Sequence, residues 1–436
     1  MFLFVFIFLN IIFLCIYYSK LSGFYTLFGM LALLFIEPAF QKLTDPSLFG
    51  NTFLVFGFDR MKTNIVFGVT LLFMIMFPKN KRLLKKDNLF IFVVIIFHLF
   101  NVLLSINQQN SFAIFIVGIV VPILFYKALS SVGLIVLNDN NLVLKSVYLS
   151  VILFICIGLL MFNNSGLQTS DIGVNRVGGG VWLSNVSTQI LAIFFPLVLI
   201  KNTDKKLNIL RIVCLLLYFV LLIVSVSRTA LVVYSLMAAI FTLKTKNKFL
   251  FIFLGLLGLI IFYYFLVSFL HIDIIEMYSS RFEKSGSLSN TVESDARADV
   301  FKEALTNFIN SNLFFGNGIS TFNLVNNAGY TNAHNIILNM LVERGIIGLG
   351  LAFIFFYGIF KRSNYLLRIE NIQDDDRKMI ECLKIGLIGY LLIGMTGNDL
   401  FLNSGFINGW PLCCIIVFLV LIQVKLFKYK NYDTEF

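Results

Sequence analysis

His334 begins the run HNIILNMLVERGIIGLG (334–350), at a point where a polar loop gives way to an apolar helix, and it is one of three histidines in a chain of 436 residues. A neutral imidazole, with an unperturbed pKa of about 6.5, can take a proton from a hydroxyl at neutral pH. The same place also suits a plainer role, a helix-start ring hydrogen-bonded to a loop carbonyl. His98, inside IIFHLFNVLL, reads as a packed or hydrogen-bonded core residue, and His271 borders a loop with no supporting pattern. Arg228, in VSVSRTALVV, stands at the end of an apolar run with no acid within several residues. A guanidinium there is costly unless it snorkels or pairs, so Arg228 is either an interfacial anchor or part of a site completed from elsewhere. Arg176, Arg281 and Arg297 fall on the same side of the threading described below. Guanidinium groups suit bidentate phosphate recognition, so together these residues form a candidate anion site beside a membrane.

The elements that must carry these groups are read from composition. The chain is 58% hydrophobic and 13% charged, with a mean hydropathy of +0.89, which lies far outside the range of soluble domains. Apolar runs long enough to cross a hydrocarbon core of roughly 30 Å as helices recur along it, and the period-2 alternation of a β-barrel is absent. The expected fold class is therefore an all-α polytopic membrane protein with about 12–13 transmembrane helices and one long external loop. Spans are expected near 1–18, 21–39, 63–77, 88–105, 111–126, 143–162, 186–200, 209–227, 229–243, 249–270, 345–360, 384–398 and 407–424. The first run lacks a basic n-region and a small-residue cleavage site and reads as a retained span. Segment 43–62 could hide a re-entrant piece, which leaves the side of the N-terminus open. Six cysteines without CxxC spacing suggest neither a disulfide scaffold nor a zinc site.

The net charge of +11 is distributed over short clusters, among them KNKRLLKK (79–86), KTKNK (244–248) and KRSNYLLR (361–368). This pattern marks a cytoplasmic side by the positive-inside rule and does not read as a nucleic-acid surface. It divides the chain into N-terminal helices (1–162), central helices with a short external loop and a Ser-Arg turn (163–270), a long external loop (271–335) and C-terminal helices (336–436). Inside the long loop, 295–310 has helical apolar spacing and should form a surface helix, stopped by the glycines of FGNGIS. Gly345, Gly348 and Gly350 read as places of close helix approach, and Glu343, nine residues beyond His334, as a structural residue that could orient Arg344 or His334. The acids Asp374, Asp375 and Asp376 read as a solvated cytoplasmic loop. The external acids Glu293, Asp295 and Asp299 do not cluster with histidines, so no metal site emerges, and no Walker loop or dinucleotide fingerprint is present. Without a cofactor or a nucleotide site, a reaction on the external face needs an already activated donor.

Four segments in order carry a family resemblance: RVGGGVWLSNVSTQILAIFFPL (176–197), SRTALVVYSL (227–236), DARADVFKEALTNFINSNLFFGNGISTF (295–322) and HNIILNMLVERGIIGLG (334–350). Together they resemble the bacterial O-antigen polymerases and O-antigen ligases over roughly residues 170–410. The resemblance implies a membrane glycosyltransferase fold of the GT-C-like type in the bacterial inner membrane, multi-pass, with its active site facing the periplasm. It implies metal-independent transfer of glycans carried by undecaprenyl diphosphate, with membrane lipid, a chain-length regulator and a flippase of the same pathway as partners and no nucleic acid. By the same resemblance His334 assists deprotonation of the acceptor hydroxyl, Arg228 and Arg297 hold the donor diphosphate, Arg176 adds a third contact, and Asn335 and Glu343 support the site.

Independently of the resemblance, displacing a diphosphate from an anomeric carbon builds negative charge that fixed guanidiniums in a partly dry site stabilise. A single base opposite the leaving group favours inversion. Two activities share these motifs. A polymerase joins one lipid-linked repeat to another, whereas a ligase passes the finished glycan to lipid A-core. The HN-x-x-L and E-R-G pattern, with no basic external cluster to dock a phosphorylated core, favours the polymerase, for O-antigen or capsule alike. A lipid-linked oligosaccharide flippase or other transporter is a different class; it calls for inverted repeats and interrupted helices, neither of which is evident in the sequence. In a non-catalytic scaffold the placement of these residues would be incidental.

Overall fold

The computed structural model describes residues 1–19, 23–44, 61–78, 87–165, 168–169, 175–176, 184–225, 227–243, 296–326, 333–395 and 410–432. Within them the apolar runs are helices: α1 (Phe2–Tyr18), α2 (Gly23–Thr44), α3 (Lys62–Met76), α4 (Asn88–Leu103) and α5 (Gln108–Leu129, with a π-helical turn at Ile116–Val120). There follow α6 (Leu134–Asn138), α7 (Asn140–Ser165), α8 (Ser184–Leu191), α9 (Phe195–Leu199), α10 (Lys205–Ser225) and α11 (Arg228–Leu243). Then come α12 (Ala296–Asn310), α13 (Phe322–Val325), α14 (Ile336–Leu367), α15 (Asp374–Gly394) and α16 (Trp410–Tyr432). Between α7 and α8, two-residue strands pair Gln168 with Arg176 and Thr169 with Asn175. Four of the described helices are long and apolar enough to cross a membrane, and α1, α3 and α4 are shorter apolar helices beside them. The protein is an all-α, multi-pass membrane protein. The expected span at 249–270, residues 271–295 and 327–332 of the expected external loop, and segment 45–60 lie outside the described residues.

The helices pack into one apolar body in which α2 lies along α7 and α1, α10 lies along α7, and α16 is embedded between α5, α6 and α14. Two carboxylates close it on the face that carries the basic loops. Asp87, the residue ahead of α4, accepts from Arg362 (2.7 Å), from the Tyr126 hydroxyl (2.9 Å) and from Gln423. Burial would raise the pKa of this carboxyl, but the Arg362 contact outweighs it and holds the group below the usual carboxylate value. Asp376 binds Lys425 at 2.7 Å, Lys428 at 2.9 Å and the Tyr429 hydroxyl at 2.6 Å. The run Asp374–Asp376 is thus the first turn of α15, not a solvated loop, and Asp376 is buried. Three acids suit a helix N-terminus, and the third is drawn inward because the end of α16 supplies ammonium groups that a linear reading could not place.

The span expected at 186–200 is interrupted. Turn residues 192–194 separate α8 from α9, and tyrosine hydroxyls bind carbonyls on either side. Tyr234 donates to Thr188 (2.7 Å), Tyr218 to Leu191 (2.9 Å) and Tyr148 to Leu197 (2.7 Å). Irregular backbone at membrane depth persists where protein groups satisfy it. Gly386 of α15 makes room for it, since a Cβ there would lie 2.1 Å from the Ile193 carbonyl oxygen.

Candidate functional site

The span expected at 345–360 begins earlier, at Ile336, and breaks within its length. Gly345 has φ +63° and ψ −168°, so residues 336–344 and 346–367 are two helices in one element. The N–H groups of residues 346 and 347 lose their helical acceptors at such a break, and the carbonyls of 342 and 343 lose their donors. The loop after α12 supplies both sets. Ile346 N–H donates to Leu313 O (2.9 Å) and Ile347 N–H to Phe314 O (3.3 Å). In return, Asn317 N–H donates to Val342 O (2.9 Å) and Gly318 N–H to Glu343 O (3.0 Å). Asn101 of α4 adds a further donor to the Glu343 carbonyl at 3.0 Å. The loop must approach backbone to backbone: a Cβ at Gly316 would lie 2.5 Å from the Glu343 carbonyl carbon. The FGNG turn and the ERG sequence are therefore two halves of one joint.

This joint sets the course of α12. Because the loop leaving α12 enters the break at 343–347, α12 runs back along 336–344, where Val300 and Ala304 pack with Leu338 and Val342. The first turn of α12, with the Arg297 position, thus lies toward the His334 end. Glu343 is buried at 1% exposure, and its Oε1 accepts from the Phe322 N–H at 3.4 Å.

His334 precedes α14 and is half-buried, with φ +49°. A left-handed conformation is uncommon for a residue with a side chain, though His, Asn and Asp adopt it more often than others. Its neighbours hold it there. The Ala333 N–H donates to the Asn339 side chain (3.1 Å), while Asn335 Oδ1 caps the helix by accepting from Ile337 (2.9 Å) and Leu338 (3.1 Å). Asn335 Nδ2 donates to the Met395 carbonyl at 3.0 Å, which ties this loop to the end of α15.

The end of α15 gathers the remaining elements. A Cβ at Gly394 would lie 2.7 Å from Gln189 of α8 and equally close to Ile336 of α14, and one at Gly389 would lie 2.5 Å from Met237 of α11. Met237 of α11 lies against Gly389 of α15, while Tyr234, one turn earlier, bonds to Thr188 beside the Gln189 that reaches Gly394, so α11 runs antiparallel to α15 and its first residue, Arg228, lies toward the Gly394 end. The backbone therefore brings together the starts of α11, α12 and α14 and the end of α15. Arg176 is at a backbone position paired with Gln168. The side chains of Arg176, Arg228 and Arg297, and all of Arg281, lie outside the described residues.

His98 is buried, with Nδ1 2.8 Å from the Val94 carbonyl and its ring edge-on to Phe97, in keeping with a hydrogen-bonded core residue. All six cysteines are free thiols. Of the three glycines expected at close approaches, Gly345 and Gly348 are at such contacts, but nothing lies within 4 Å of a Cβ built at Gly350. Among the described residues no three His, Cys, Asp or Glu side chains gather for a metal.

Asn339, Gln189 and the docking of Asn101 on the α14 break leave no mark in the linear sequence. Asn and Gln at helix positions carry no signal of what they bind until the partner element is placed. In comparisons with known proteins, the O-antigen ligase family model matches residues 213–353, about a third of the chain, from α10 into α14. No curated protein matches the chain.

Proposed function

We propose, from the match of residues 213–353 to the O-antigen ligase family model, that the chain is a membrane glycosyltransferase-type enzyme of the O-antigen polymerase and ligase family and that it polymerises undecaprenyl-diphosphate-linked repeat units, of O-antigen or capsule, at the external face of the inner membrane. The acceptor hydroxyl oxygen forms the new bond to the anomeric carbon of the donor. The bond from that carbon to the diphosphate oxygen breaks, and the diphosphate leaves with the electron pair. The proton of the hydroxyl passes to His334, and Arg228 and Arg297, with Arg176, receive the leaving charge. What supports this reading is the course of the helices: the Asn335 bond to Met395 ties the His334 loop to the end of α15, and the packing of α11 and α12 directs backbone positions 228 and 297 toward that same end.

A transporter is not favoured by the break between α8 and α9, whose carbonyls accept from tyrosine hydroxyls inside a packed core. The test is the glycan ladder of a strain deleted for the gene and complemented with His334→Ala at equal expression. Loss of long chains with one repeat still attached is the expected result. Loss of every repeat, with lipid-linked polymer accumulating, would make the protein a ligase instead, and an unchanged ladder would sink both enzymatic readings.

A further inference from the structure

A cavity of about 320 Å³ lies between α4, α5, α14 and α16, walled by apolar side chains such as Val94, Ile119, Leu351 and Ile416. It has polar ends. Arg344 and His98 line one end, while Asp87, Arg362 and Tyr126 line the other. From Arg344 to Arg362 along α14 is 18 residues, or about 27 Å of helix, close to the roughly 30 Å thickness of a hydrocarbon core. Ile354, 58% exposed, lies on its wall, so the cavity is a groove open sideways to lipid. Arg344 is only 1% exposed, and a guanidinium at the head of an apolar groove at the membrane boundary matches an anionic headgroup whose chain runs down that groove.

We propose that this groove holds a stretch of the polyisoprenyl chain of the acceptor, a second lipid-linked glycan, the rest of the chain lying in the bilayer, with Arg344 meeting its diphosphate. The proposal rests on the polymerase reading above, in which both substrates are lipid-linked. Distance separates acceptor from donor. A base acting on the attacking hydroxyl and cations receiving the leaving diphosphate must flank one anomeric carbon. Helix 336–344 alone puts about 12 Å between Arg344 and the His334 loop, too far for that pairing. An acceptor has different needs, because an oligosaccharide separates its reacting hydroxyl from its own diphosphate. The arginine positions assigned to the donor stand on α11, α12 and the short ladder, whereas the described lining of the groove comes from α4, α5, α14 and α16 and from Asp87 ahead of α4.

Gly358 offers a clean block, since it lines the groove and nothing lies within 4 Å of a Cβ built there. Undecaprenyl phosphate bound to the purified full chain is counted by native mass spectrometry. The parent protein should carry two molecules and Gly358→Trp one, and Arg344→Gln should weaken the second binding event about tenfold. Two molecules on Gly358→Trp, a single molecule on the parent, or displacement of the second by an equal amount of phosphatidylglycerol would overturn the proposal. The count involves no turnover, so His334→Ala should keep both lipids while losing chain growth. Failure of the polymerase reading therefore shows in the ladder and failure of the groove in the lipid count.

Discussion

The backbone of Phe314 occupies the space that a Cβ on Gly345 would need: its carbonyl carbon and oxygen lie 2.4 Å from that position. The break in α14 is therefore a fitted joint between a loop and a helix, and it aligns the segment that carries His334.

Gly345→Ala combines that clash with a left-handed φ, and should cost about 2–4 kcal/mol, at the upper end of single-substitution effects. Gly350→Ala, in open space, should stay within about 0.5 kcal/mol. Thermal unfolding of the two purified variants checks the contrast, and equal melting temperatures would mean that the joint does not hold the helix.

Replacing His334 can separate backbone from chemistry. Asn tolerates the left-handed conformation, so His334→Asn should fold as well as the parent yet lose about 10²–10⁴ in transfer rate if the ring acts as a base. Glycosyl transfer in vesicles with a lipid-linked substrate measures this. A fully active Asn variant would reduce His334 to a helix-start residue.

Asp376 is held at about pKa 2, because hydrogen bonds from Lys425, Tyr429 and Lys428 outweigh the upward push of burial. A depressed carboxylate contributes stability above its unfolded value, here 3.8, and that contribution is lost as pH falls through the folded value. Its share should be constant from pH 7 to about 5 and fade between roughly pH 4 and 2. Asp376→Asn leaves a buried ammonium on Lys425 and should cost about 3–5 kcal/mol at pH 7. Melting temperatures of parent and variant at pH 7 and pH 3 should converge as the pH drops, and a constant gap would contradict this.

Each tyrosine at the α8–α9 interruption should be worth about 0.5–1.5 kcal/mol when changed to Phe, the net value of one hydrogen bond. Tyr218→Phe and Tyr234→Phe together should fall short of or exceed the sum of the singles, since the two rings share Phe195 at 5.3 and 4.7 Å. Strict additivity in a double-mutant cycle would show that the interruption is not a cooperative unit.

Much of this molecule was legible in the linear chain. Apolar run lengths gave the helices from α1 to α5, since crossing a membrane is a demand that each segment meets with its own residues. The spacing of Val300, Ala304 and Phe308 gave α12, and the glycines of FGNGIS gave the turn that follows it. The HN sequence gave a helix start, because a cap is satisfied within a few residues. Other features depended on partners far away in the chain. Asp376 looked solvated until Lys425 and Tyr429 reached it from α16, and 186–200 looked continuous until Tyr148, Tyr218 and Tyr234 were placed against its carbonyls. Glu343, Arg344 and Gly345 looked like the lead into a span, whereas the span is broken there and repaired by Leu313–Gly318. That the chain is a helical membrane protein follows from its residues alone, because hydrophobic length is a local property. The break in α14, the return of α12 toward His334 and the place of Arg344 at the head of an apolar groove emerge from the packed fold, because each depends on which distant segments meet.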